Sequence, residues 1–112
     1  MKYKVLTVIV LSVLAFQFCT GTKKAGRNAK ITYLNNVQYT LQANCAPCHF
    51  PPQGNKKPLN TYTTAKDEID DIIVRINKQP GERGFMPLKH PKLADSTINV
   101  FVKWKADGLL EK

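Results

Sequence analysis

Two of the chain's three cysteines stand beside one of its two histidines. Cys45, Cys48 and His49 form C-x-x-C-H inside "ANCAPCHFPPQG", residues 43–54. Residues of these types at this spacing can close a disulfide, supply half of a zinc site, act as a thiol redox pair or attach a prosthetic group. Structural zinc takes four protein ligands, and the remaining candidates are Cys19, in the N-terminal apolar region, and the isolated His90. A thioredoxin-like pair sits in a βαβ setting, and no segment of this chain alternates in the manner of a strand.

Attachment of haem accounts for all three residues. In a helical turn positions i, i+3 and i+4 share a face, so Cys45, Cys48 and His49 can address one flat molecule. The thiols add across its two vinyl groups as thioethers and the imidazole coordinates the iron, and C-x-x-C-H is the signature of that attachment. The iron then takes a sixth ligand or stays open. Met86 is the natural candidate, in "RGFMPLKHP" (residues 83–91), beyond the second helix, where a loop can cover the opposite haem face. Pro87 restrains the chain there and Gly84 lets the backbone approach closely. His90, four residues on, is the competing ligand. The plainer roles are a packed methionine for Met86, a solvated loop side chain for His90, and a solvated helix end for Arg75, which could otherwise reach a haem propionate.

Three helical patterns must position these groups. Ile31, Leu34, Val37 and Leu41 lie on one face that continues to Cys45, so a first helix delivers the chain to the cluster. A second begins near Thr64, where "TAKD" resembles a capping box, and buries Ile69, Ile72, Ile73 and Ile76. Asp67, Glu68, Asp70 and Asp71 come early in it and Arg75 and Lys78 late, as the helix dipole favours, until "QPG" at 79–81 ends it. A third runs from Asp95 or Ser96 to Ala106 with Ile98, Phe101, Val102 and Trp104 inward and Gly108 as its stop. The expected class is all-α, with two long loops, 50–63 and 79–93, that a bare three-helix bundle would not need.

The N-terminus sets the compartment. Lys2 and Lys4 precede an apolar run from Val5 to Phe18, the charge order of a secretory signal peptide, expected to span residues 1–18. The run is too short for a membrane span. Cys19 follows directly and resembles the lipidated cysteine of bacterial lipoproteins, although Phe18 occupies a place where a small residue is usual. Ordinary cleavage near Ala15 or an uncleaved tether are the alternatives, and each places the domain on the periplasmic side of a bacterial membrane. Residues 19–30 read as a flexible basic linker and 31–112 as the folded domain. The net charge of +9 could suggest nucleic acid, but no helix carries a basic stripe interleaved with aromatics.

The helix leading into "CAPCH", the later "FMP" loop and the final helix with Trp104 resemble a small class I cytochrome c over residues 31–112. The resemblance implies helices wrapped around a single haem c with little or no sheet, and first and last helices packed at a crossing. It implies that Cys45 and Cys48 bind haem covalently, that His49 is the proximal iron ligand and Met86 the distal one, and that the chain is an electron carrier rather than an enzyme. A haem peroxidase-like or gas-binding domain with an open distal position is the competing class. Lys56, Lys57, Lys89 and Lys92 fall in the two loops that would border the haem, an expected positive collar for acidic redox partners. The loop "FPPQGNKKPLNTY" (50–62) departs from any recurrent pattern and leaves the propionate partners unassigned.

Overall fold

The computed structural model describes residues 29–112; the signal-like run 1–18, Cys19 and the linker up to residue 28 lie outside the described residues. The first helix opens with a wide π turn, Tyr33–Val37, in which the Gln38 N–H donates to the Tyr33 carbonyl, and continues as α1, Gln38–Cys45. Then come α2, Tyr62–Asp67, α3, Ile69–Asn77, and α4, Asp95–Ala106. Among the described residues there is no strand, and no helix is long and apolar enough to cross a membrane.

The π turn corrects the expected face of the first helix. Each residue of such a turn advances less around the axis than in an α-helix, so side chains four apart fall in line rather than three apart. Tyr33, Val37 and Leu41 are therefore buried, and Leu34 is 38% exposed. Thr32 caps this turn by accepting from the Asn35 N–H.

The second expected helix is two. Its capping box is formed by Thr61 and Thr64, each side chain accepting from the other's backbone N–H, so α2 starts three residues earlier than "TAKD" suggests. Glu68 then leaves helical geometry (φ −101°, ψ 4°) and α3 restarts at Ile69. Ile69, Ile72 and Ile76 are buried as expected, and Ile73 only partly. On α4, burial of Ile98, Phe101 and Trp104 swings the apolar stripe toward Trp104, which leaves Val102 at its edge and 43% exposed, against expectation.

The two ends of the domain close on each other. Past Gly108 the chain folds back so that the carbonyls of Leu110 and Glu111 accept from the N–H groups of Tyr33 (2.8 Å) and Leu34 (3.1 Å), donors that a helix N-terminus leaves unpaired. The Asp107 carboxylate accepts from the Ile31 N–H at 2.7 Å. Between them Tyr33, Tyr62 and Trp104 pack ring to ring at 5.7–6.3 Å, while the indole N–H donates to the Leu110 carbonyl and the Tyr62 hydroxyl to that of Leu109. First and last helices thus pack together, and buried side-chain polar atoms all have partners among the described residues.

Candidate haem site

Helix α1 ends at Cys45 because Pro47 disfavours helical geometry at the residue before it, and Ala46 is extended (φ −77°, ψ 156°). The expectation that Cys45, Cys48 and His49 share a helical face is corrected accordingly. Cys45 is the last helical residue, and Cys48 and His49 lie in the turn beyond. One helix-like bond survives, from the His49 N–H to the Cys45 carbonyl at 3.1 Å. All three residues nevertheless line a single cavity of about 350 Å³.

The proline- and lysine-rich loop after His49 proves to be a brace for this turn. The Lys56 N–H donates to the Cys48 carbonyl (3.0 Å) and the Leu59 N–H to the His49 carbonyl (2.9 Å). Gly54 is pressed so closely against the turn that a Cβ there would stand 2.1 Å from both the Pro47 and Cys48 oxygens. The loop also orients the imidazole: Nδ1–H of His49 donates to the Lys57 carbonyl at 2.7 Å. That contact fixes the tautomer, leaves Nε2 with its lone pair, and makes it a better donor to a metal.

Neither cysteine is in a disulfide; Cys45 is half-buried against the core and Cys48 exposed. Burial pushes the Cys45 thiol up to about 11. A thiol that stays protonated at neutral pH is a poor nucleophile for disulfide exchange. Among the described residues no three His, Cys, Asp or Glu side chains are grouped as a bare metal ion would need. Iron inside a porphyrin makes no such demand, since it draws only axial ligands from the protein.

Met86, the only methionine besides Met1, lies in the loop between α3 and α4 and lines the same cavity. Its N–H donates to the Arg75 carbonyl at the end of α3 (3.3 Å), its side chain is half-buried against the core, and Phe85 beside it is buried. His90 also lines the cavity but is exposed. Apolar walls come from Leu59, Ile72, Ile76, Leu93 and Phe101, and Glu68, Asp71 and Arg75 add charge. Arg75 donates from Nε to Asp71 at 2.6 Å.

The structure divides the four collar lysines. Lys92 donates to the carbonyls of Asn77 (2.6 Å) and Lys78 (2.9 Å), closing the C-terminus of α3 and holding the Met86 loop to it. Lys57 pairs with Glu68 at 2.7 Å, whereas Lys56 and Lys89 are exposed. Three contributors escape a reading of the sequence: the Lys57 carbonyl, the close approach at Gly54, and the anchoring by Lys92. The first had no signal at all, because every residue carries a carbonyl; the glycine in a proline-rich loop was the one hint.

No protein-family model, curated protein or solved structure matches this chain.

Proposed function

We propose that the chain is a monohaem electron carrier of the class I cytochrome c type. The observation that carries this is the convergence, on one largely apolar cavity, of both C-x-x-C-H thiols, a His49 ring whose Nδ1 is already engaged, and Met86 from a separate loop. These residues fit haem c. Cys45 and Cys48 would hold it through thioethers, His49 Nε2 would be one axial donor and Met86 sulfur the other. When bound, the group supplies one-electron exchange between ferrous and ferric iron.

The chain's own residues set the conditions for that exchange. The Lys57 carbonyl fixes the His49 ring and raises its basicity. Leu59, Ile72, Ile76 and Phe101 give the cavity apolar walls that exclude water, and with haem bound the neutral thioether of Met86 would favour the ferrous state relative to harder ligands. Half-burial and tethering to α3 favour Met86 over the exposed His90. Acidic redox partners and an exported, periplasmic setting belong to the same proposal; lipid on Cys19 is tested by Cys19→Ser, which should move the protein from membranes to a soluble exported fraction, and unchanged retention contradicts it.

Absorption spectroscopy of the purified chain, before and after acid-acetone extraction, tests the proposal. Colour that stays with the polypeptide, with a six-coordinate low-spin spectrum, is the expected result. A five-coordinate iron that reacts rapidly with peroxide would favour the peroxidase-like class instead, and extractable or absent haem would overturn both.

A further inference from the structure

Beside the haem cavity, and sharing Asp71 and Arg75 with it, lies an open cleft of about 530 Å³ lined by Asp71, Val74, Arg75, Lys78, Arg83 and Gly84. Three of these six residues are cations and one is an acid. Two of the cations, Arg75 and Lys78, are held in place rather than free to spread. Arg75 is fixed through Nε by Asp71 (2.6 Å), and the Lys78 ammonium donates to the Arg83 carbonyl at 2.8 Å. Gly84 makes their approach feasible: it sits at φ +85°, and a Cβ there would stand 3.2 Å from Arg75 Nη1 and 3.6 Å from Lys78 Nζ.

Like charges gathered in this way repel one another, and a negative group between them relieves that repulsion. Asp71 answers only one of the three. Neither Lys78 nor Arg83 makes an ion pair among the described residues, and the nearby Glu82 carboxylate is turned to the Gln79 N–H. Val74, 57% exposed on α3, adds an apolar contact between the charges. A small anion would have no use for that contact. A protein surface would, since interfaces combine an apolar centre with charged surroundings.

We propose that this cleft is a docking site for an acidic segment of a redox partner, its carboxylates engaging Arg75, Lys78 and Arg83 and an aliphatic side chain meeting Val74. The proposal rests on the electron-carrier reading and moves the expected basic surface from the four loop lysines to the end of α3. Guanidinium forks suit carboxylates in bidentate contact, and donors already held in place lose less freedom on binding. A partner seated there lies next to the cavity.

The test is a nuclear magnetic resonance titration of the haem-loaded full chain with a hexaglutamate peptide, the haem content being fixed beforehand by absorption. Saturable shifts should concentrate in residues 71–84. Joint Lys78→Glu and Arg83→Glu should weaken binding roughly tenfold or more, while the same charge change at Lys66 and Lys112 should do much less. Raising salt from about 0.01 M to about 0.15 M, which shortens the screening length from roughly 30 Å to roughly 8 Å, should weaken it too. Equal weakening by both pairs of reversals would reduce the effect to net charge and overturn the site. So would reversals at 78 and 83 that change the reduction potential but not peptide binding, which would give these cations to the haem's own carboxylates. Absence of haem refutes the carrier reading alone; haem-loaded protein with no localised shifts refutes the cleft alone.

Discussion

Where the two ends of the described residues meet, closure is side chain on side chain: Tyr33, Tyr62 and Trp104 fill the space between the first and last described helices, and the backbone of residues 109–111 accepts from the Tyr33 N–H, the Tyr62 hydroxyl and the indole N–H. At the other end, Leu59, Ile72 and Ile76 face a cavity, and the work of positioning passes to main-chain carbonyls of the loops. The difference separates two tasks. The clamp of the first and last described helices carries stability, and the loop braces hold His49 and Met86 at the cavity.

Removing Trp104 should break the first of these most severely. It is fully buried, and truncating a buried aromatic side chain typically costs about 3–5 kcal/mol through lost burial and the cavity left behind. Chemical denaturation of Trp104→Ala should show a loss in that range. A loss below about 1 kcal/mol, as at an ordinary surface site, would mean that the clamp is not the principal source of stability.

Gly54→Ala should disturb the second region without the first. A methyl group 2.1 Å from two carbonyl oxygens forces the loop away, and overpacking of this kind costs about 1–3 kcal/mol. The signature is local: amide hydrogen exchange should quicken at Lys56 and Leu59, whose N–H groups brace the turn, while Tyr33 and Leu34 keep their protection. Exchange that quickens equally at both ends would show one cooperative unit and erase the distinction.

The smallest expected effect is one of pH at the clamp. The Ile31 N–H, and then the Lys103 ammonium, hold the Asp107 carboxyl below its ordinary value of 3.8. A carboxylate depressed in the folded state contributes stability that is present above the unfolded value and lost as pH falls through the folded one. Asp107→Asn should therefore lower stability at neutral pH and flatten its decline on the acid side. An acid profile identical to wild type would remove Asp107 from the clamp.

How much of this could be read beforehand follows the same division. Helix α3 and most of α4 were legible because apolar side chains repeat at helical spacing, and Cys45, Cys48, His49 and Met86, which line one cavity, could be singled out because their chemistry is in the side chain. The π turn was not, since Ile31, Leu34, Val37 and Leu41 also fit an α-helical stripe and only the packing of Tyr33 decides between them. The break at Glu68 carries no glycine or proline to announce it. Val102 was misplaced by putting it on the same narrow face as Ile98, Phe101 and Trp104, although it stands a full step around the helix from Phe101. In the loops, the helical face expected for the cysteines gave way to the local demand of Pro47, and the brace on His49 is built from backbone atoms that any sequence supplies.

The axial ligation of the haem-loaded protein tests the central claim most directly, by the weak far-red charge-transfer band of its ferric spectrum measured in wild type, Met86→Ala and His90→Ala. Wild type and His90→Ala should both show the band; Met86→Ala should lose it, and its reduction potential should fall as water, hydroxide or imidazole replaces the thioether and the ferric state gains relative stability. A Met86→Ala protein that keeps the wild-type spectrum and potential, while His90→Ala loses its sixth ligand, would contradict the assignment of the two loops to the two faces of one haem.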